Sequence, residues 1–204
     1  MTFSIFIVLL GSALGCLGCF AYLRDTLAGR TQPHRVTFLI WGTAPLIAAF
    51  AAFANGVRWA ALPVLMTGLC PALIFLASFH NKNAYWKTKP SDYVCGAFSI
   101  LALVLWRVTH EPNIAILFAI ASDTLAAVPT MRKAWTNPES ETISAYVFSW
   151  LSLSTSLLAA PAFTFSACAF PIALMLSNMI ILYALKREKI SSCLRSLRSG
   201  GRAN

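Results

Sequence analysis

Residues 126–150 read AAVPTMRKAWTNPESETISAYVFSW, and they hold the end of one apolar segment, a short polar connection and the start of another. The first of these segments begins near residue 112, and the second continues to about residue 162. Each is close to the length of about 20 residues that an α-helix needs to cross a bilayer. The connection carries Arg132 and Lys133, and basic residues mark helix ends on the cytoplasmic side. The stretch therefore predicts two antiparallel membrane helices joined by a short basic loop.

Apolar segments of this kind recur along the whole chain, near residues 3–23, 36–54, 58–79, 92–108, 112–131, 143–162 and 165–185. Hydrophobic residues make up 58% of the 204 residues and charged residues only 11%, whereas a soluble domain carries about 25% charged residues. The segments lack the polar and apolar alternation of a membrane β-barrel strand. Since only helices and closed barrels span a bilayer, the predicted fold is all-α with seven transmembrane helices.

The basic residues predict which way the chain crosses the membrane. Of the 16 lysines and arginines, only Arg58 and Arg107 lie outside the connections after segments one, three and five and the tail after segment seven. Basic connections stay in the cytoplasm, so we expect an N-terminus outside, a cytoplasmic C-terminus and a first segment that is retained as a helix. The net charge of +9 then needs no nucleic-acid partner, because the basic face attracts anionic inner-leaflet lipid, above all at the tail.

Aligning Pro63 with Pro171 reveals an internal repeat. The alignment pairs residues 21–24 with residues 129–132 and, with one extra loop residue, Trp41 with Trp150. A unit of three membrane helices ends on the side opposite its start, so two units in the same orientation need one more crossing between them. We therefore predict a first triple-helix repeat over residues 1–80, a linker loop and fourth helix over 81–110, a second triple-helix repeat over 111–186, and a basic cytoplasmic tail over 187–204.

The stretch at 126–150 has a counterpart at residues 19–41, CFAYLRDTLAGRTQPHRVTFLIW, in the first repeat. Together with the arrangement of three, one and three helices, the two stretches make the chain resemble the PQ-loop and SWEET superfamily of small transporters. Family members carry Pro-Gln at the ends of helices 1 and 5, where this chain has Ala21-Tyr22 and Pro129-Thr130. The resemblance covers nearly all of residues 3–185 and implies a carrier built from two triple-helix bundles.

Asp123 is the residue that an apolar fifth helix accommodates least easily. It lies about eight residues, or roughly 12 Å, from the inner end of that helix. A carboxylate at such a depth costs about 2.5 kcal/mol or more, and no basic residue occurs at that depth in any predicted helix. We therefore expect Asp123 to line water or to carry a proton in a transport path. The alternative is a carboxyl group that hydrogen-bonds the backbone of a neighbouring helix.

Asn178, Trp41 and Trp150 are expected at a similar depth in the seventh, second and sixth helices. An amide offers both donors and an acceptor, and an indole offers a flat face to a sugar ring or a cation. In SWEET transporters Asn and Trp on these helices line the substrate pocket, so the resemblance implies a binding role for these residues. Packing is the alternative for both tryptophans.

Small residues form stripes on two of the predicted helices. In the sixth, Ser152 shares one face with Ser149 and Ser156, and such a stripe either lines water or bonds between helices. In the first, Gly11, Gly15 and Gly18 recur where a neighbouring backbone could approach closely, which indicates helix packing. We include Ser152 among the candidate pathway residues and exclude the three glycines.

Prolines occur within several predicted helices, and Pro129 lies only six residues after Asp123. A proline removes a backbone hydrogen bond and favours a kink. The freed carbonyl groups can line a cavity, and the kink can serve as a hinge during alternating access. We predict hinge roles for Pro129 and Pro45.

These features favour a facilitator or proton-coupled carrier for a small polar solute, such as a sugar or an amino-acid-like molecule, in a bacterial inner or plasma membrane. The alternative is an integral membrane accessory or assembly protein that uses the same bundle to contact partners. Enzyme activity is not predicted, because paired carboxylates and hydrolase motifs are absent, and a retinal protein would need a lysine within its seventh helix. No cofactor or metal is predicted, since the cysteines and histidines lack ligand spacing. Association of identical chains stays open.

Overall fold

The computed structural model describes residues 2–54, 62–80, 86–108, 112–160 and 162–200. Over these residues the chain forms seven α-helices and one short 3-10 helix, without a β-strand, which confirms the all-α prediction. Each α-helix falls on one of the predicted apolar segments. The helices are α1 (Thr2–Leu27), α2 (Arg35–Ala54), α3 (Leu62–Ala77), α4 (Pro90–Val108), α5 (Pro112–Thr136), α6 (Ile143–Leu158) and α7 (Phe165–Gly200), and the 3-10 helix covers Pro138–Ser140.

Several helices continue further than the charge pattern suggested. Arg24 lies in α1, and Arg132 and Lys133 lie in α5, so their predicted placement in loops was wrong. Helix α7 continues to Gly200, so the boundary predicted at residues 186/187 does not coincide with a helix end. The reason is that a basic side chain is compatible with the last turns of a helix, where it extends towards water or finds a buried partner.

A tight turn ends α1 and directs the chain into α2. Gly29 has a φ of 71°, in the left-handed region that glycine occupies without a steric penalty. The amide of Gly29 donates to the carbonyl of Thr26 at 3.0 Å, and that of Arg30 donates to the carbonyl of Asp25 at 2.9 Å. This turn satisfies the last carbonyl groups of α1 and sets the position of residues 31–34.

Three connections meet at one end of the molecule, which we call the basic end. It comprises residues 28–35 between α1 and α2, residues 78–80 and 86–92 around the α3–α4 connection, and residues 132–143 around the α5–α6 connection. The amide of Gln32 donates to the carbonyl of Ser140 at 2.9 Å, and the guanidinium of Arg35 donates to the carbonyl of Ser78 at 2.8 Å. The connections whose basic residues predicted one membrane face therefore lie together.

The order of the helices is the same in the two halves of the chain. Helix α3 packs against both α1 and α2, and α7 packs against both α5 and α6. Between the halves, α1 packs extensively against α6 and α2 packs against α5, while α4 lies against α5 and α2. Each half thus has its third helix in the middle, and the first helix of each half faces the second helix of the other.

The glycines of α1 allow it to approach α6 closely. A Cβ atom on Gly18 would lie 3.0 Å from Cβ of Phe148, and one on Gly11 would overlap the hydroxyl of Thr155. The packing predicted for the glycine stripe is therefore confirmed. A similar close approach occurs between α2 and α3, where a Cβ on Gly68 would lie 2.9 Å from the carbonyl oxygen of Gly42. This second contact was not predicted from the sequence.

Within the part of the chain that the structure describes, two helices are long and apolar enough to cross a membrane, at Phe6–Leu27 and Cys168–Arg187. Shorter apolar helices occur at Leu65–Ala77, Pro90–Leu105 and Ile143–Leu158. Large apolar side chains point outward on several helices, among them Leu9 on α1, Phe98 on α4 and Ile180 on α7. An outward-facing apolar surface of this kind is typical of contact with lipid or with another apolar surface.

Candidate functional site

Asp123 is a residue of α5, and the Oδ2 atom of its carboxyl group is buried without a hydrogen-bond partner. Helices α2, α4 and α7 pack against α5. The alternative considered above, a hydrogen bond from the carboxyl group to a neighbouring backbone, does not occur at this oxygen. A buried carboxylate oxygen without a donor carries a large desolvation cost. This atom is therefore suited to hold a proton or to accept a hydrogen bond from a bound molecule.

Trp41 lies beside Asp123. Its indole Nε1 donates to the backbone carbonyl of Asp123 across the α2–α5 contact, at a long 3.4 Å. The ring of Trp41 also packs against Phe38, with the ring centroids 5.6 Å apart. The structure thus brings together two of the predicted pathway residues, although through the backbone of Asp123 and not through its carboxyl group.

Asn178 lies at the contact between α6 and α7. The side-chain amide of Asn178 donates to the hydroxyl of Ser149 at 3.3 Å and to the carbonyl of Leu174 at 3.0 Å. The adjacent residue, Trp150, has a buried indole Nε1 without an acceptor. Asn178 is therefore bonded to the residue that precedes Trp150 in α6, and the indole of Trp150 has an unused donor. Their shared layer with Asp123 stays a prediction.

Ser152 and the two prolines occupy packed positions. A Cβ atom on Gly15 would lie 3.4 Å from Oγ of Ser152, so this serine faces α1. That location agrees with the interpretation of the serine stripe as a helix contact, and a pathway role for Ser152 stays a prediction. Pro129 is fully buried within α5, and Pro45 lies within α2. Both helices continue on either side of their proline, and the hinge roles stay predictions.

A buried ionic cluster at the basic end was not predicted from the sequence. Nζ of Lys133 lies 2.5 Å from Oε1 of Glu141, and both side chains are fully buried. The other carboxylate oxygen, Oε2, accepts hydrogen bonds from the hydroxyls of Tyr22 at 2.7 Å and Tyr146 at 2.8 Å. We call these four residues the Glu141 cluster. It joins α1 of the first half to α5, α6 and the preceding loop of the second half.

Further hydrogen bonds close the basic end around this cluster. Lys133 also donates to the backbone carbonyls of Gln32 and Ser140. The hydroxyls of Thr31 and Thr142 lie 2.5 Å apart, and that of Thr142 donates to the carboxylate of Asp25 at 3.1 Å. Because Lys133 pairs with Glu141 and donates to two carbonyl groups, while Oε2 of Glu141 accepts two hydroxyls, the buried ion pair is compatible with a stable fold. These hydrogen bonds and the ion pair connect the two halves of the chain at the basic end.

A second buried polar group lies next to the cluster, where α2 begins. Nε2 of His34 lies 3.0 Å from Oδ2 of Asp92 in the first turn of α4, and Nδ1 lies 3.4 Å from the hydroxyl of Thr37. Burial lowers the pKa of His34, and the carboxylate of Asp92 opposes this shift. The same carboxylate oxygen accepts the amide of Lys89 at 2.8 Å, which caps α4. His34 thereby ties α4 to α2.

The sequence contains one signal that could have revealed these groups. Glu141 is one of only seven acidic residues, and it lies in a connection that is otherwise expected to be basic. An acid at such a position favours a pair with a nearby base, although the sequence does not indicate which base is buried.

Comparison with known proteins adds no relative, because no family model, curated protein or solved structure matches this chain.

Proposed function

We propose that the chain is a membrane transporter, a facilitator or proton-coupled carrier, for a small polar solute such as a sugar or an amino-acid-like molecule. The observation that carries the proposal is the carboxyl group of Asp123, which has a buried, unpartnered oxygen in the apolar part of α5. A group of this kind is expensive in lipid and is typical of a substrate or ion pathway. The unused indole donor of Trp150 adds a second group able to bind a polar solute.

The proposed architecture consists of seven transmembrane helices, with two triple-helix bundles in the same orientation and α4 as the linker between them. It is supported by the repeated helix order, in which α3 and α7 are the middle helices of their halves. The apolar outer surface of the helices and the gathering of basic connections at one end agree with a bundle that crosses a bilayer. The resemblance to PQ-loop and SWEET carriers rests on the same arrangement.

Alternating access would require the two bundles to separate at one end at a time. The contacts at the basic end suit a closed gate, because the Glu141 cluster and the paired loops connect the first half to the second. Opening a path from the cytoplasm to Asp123 would have to break these contacts. Pro129 and Pro45 lie in α5 and α2, the two helices that would move past each other, and the proposal assigns them the hinge.

The proposal is tested by finding a solute and measuring its transport. Purified protein in detergent is screened by thermal shift against sugars, polyols and amino acids, and each hit is then tested for uptake into proteoliposomes at two pH values. We expect at least one hit to enter faster than into protein-free liposomes and to compete with its own unlabelled form. Negative screens together with a stable co-purifying protein would contradict transport and favour the accessory or assembly function.

A further inference from the structure

Each ring nitrogen of His34 has a polar partner that can accept a hydrogen bond. Thr37 donates its only hydroxyl proton to the carbonyl oxygen of Ala126 at 2.6 Å, because a carbonyl can only accept. Thr130 donates to the oxygen of Thr37 at 3.1 Å. The hydroxyl oxygen of Thr37 is therefore an acceptor for Nδ1 of His34. On the other side of the ring, the carboxylate of Asp92 is an acceptor for Nε2.

Opposing charges surround the imidazole from the neighbouring elements. Asp92 of α4 and Glu141, which precedes α6, favour a positive ring, while Lys133 of α5 and the complete burial of His34 oppose it. The adjacent Arg35 directs its guanidinium towards the end of α3. Because burial is the largest effect, the pKa of His34 lies below its usual value of 6.5. Burial therefore favours the neutral ring, and the carboxylates of Asp92 and Glu141 favour the protonated one.

We propose that His34 and Asp92 form a proton-binding site at the basic end, separate from Asp123, and that proton uptake there weakens the Glu141 cluster. Hydronium donates the proton to Nδ1 of His34 and becomes water. The resulting imidazolium repels the ammonium of Lys133, which is held by Glu141 at 2.5 Å. The role of this step in opening a transport path rests on the proposed function, whereas the proton-binding site itself does not.

The site can be tested by NMR titration of the histidine side chains in detergent-solubilised protein. The chain has only three histidines, so His80→Asn and His110→Asn identify the resonance of His34. We expect this resonance to titrate below pH 6.5, to vanish in His34→Gln, and to titrate at a still lower pH in Asp92→Asn, which lacks the favourable carboxylate. A His34 resonance that titrates near pH 6.5 in both the parent protein and the Asp92→Asn variant would overturn the proposed site.

Coupling to the Glu141 cluster has its own measurement. Ser140→Cys, in a chain whose native cysteines are replaced by serine or alanine, places a thiol at a buried position beside the cluster. We expect the rate of labelling by a maleimide to rise about fivefold or more as the pH falls through the His34 transition, after correction for thiol ionisation with a free-cysteine standard. In the matched His34→Gln protein the corrected rate should stay constant.

The outcomes separate this inference from the proposed function. If the protein transports no solute but shows the His34 titration and the pH-dependent labelling, the proton-binding site is supported and the proposed transport function is contradicted. A carrier whose corrected labelling rate is the same in the parent protein and in the His34→Gln variant would overturn the coupling. If His34→Gln does not fold, Asp92→Asn replaces it, and labelling must then rise only at a lower pH than in the parent protein.

Discussion

Replacing Glu141 by alanine is expected to lower the free energy of unfolding by about 3–5 kcal/mol, because a buried charge loses its partner. In this variant the ammonium of Lys133 would stay fully buried without the carboxylate that lies 2.5 Å away. The hydroxyls of Tyr22 and Tyr146 would also lose their common acceptor. The change is measured by SDS titration in mixed micelles, with the loss of helical circular dichroism as the signal.

Two variants control this experiment. Glu139→Ala removes an exposed carboxylate two residues earlier and should change the stability by no more than about 0.5 kcal/mol. The double variant Lys133→Met/Glu141→Leu removes both charges, and we expect it to be more stable than Glu141→Ala, since apolar pairs often replace buried ion pairs at little cost. Equal stabilities for Glu141→Ala and Glu139→Ala would show that the Glu141 cluster does not hold the basic end together.

The Asp123→Asn variant should transport about tenfold to a hundredfold more slowly than the parent chain. A hydrogen bond to a charged group contributes about 1.5–3 kcal/mol, and each 1.36 kcal/mol corresponds to a factor of ten in rate. Any dependence of uptake on a proton gradient through this residue should disappear as well. Stability should not fall, because the buried Oδ2 atom has no hydrogen bond to lose. Uptake in proteoliposomes and thermal unfolding of the same preparation provide the two measurements.

Thr124→Ala is the matched control, because it changes an exposed residue next to Asp123 in α5. Its uptake should equal that of the parent chain. The combination of lower activity with unchanged stability is the signature of a group kept for function and not for packing. Unaltered, pH-independent uptake in Asp123→Asn would remove Asp123 from the mechanism, and a large loss of stability would assign it a structural role.

The helices could be predicted from the sequence because apolar runs and helix length are local properties. Glycines at helical spacing in α1 likewise indicated a close helix contact, which occurs between Gly18 and Phe148 of α6. These two inferences succeeded because each depends on spacing along one helix or on composition. For Asp123 the buried Oδ2 atom has no hydrogen-bond partner, and its place in a pathway stays a prediction.

The contacts at the basic end could not be predicted in the same way. The charge rule treats Lys133 as a residue that marks a membrane face, and it does not distinguish an exposed base from one buried against an acid. The partner, Glu141, follows a proline-containing turn whose path is not encoded by periodicity. The tyrosines that complete the cluster belong to α1 and α6, so their meeting depends on how the two halves pack. The same limitation applies to His34 and Asp92.

Labelling of single cysteines in intact cells tests the central claim, that two like-oriented bundles cross the membrane with the basic end in the cytoplasm. Arg30→Cys and Glu139→Cys place thiols at exposed positions of the basic end, and Phe163→Cys places one on the exposed connection between α6 and α7. With the native cysteines replaced, a membrane-impermeant maleimide added outside should label only Phe163→Cys until the cells are opened. Labelling of all three from the same side would contradict the account.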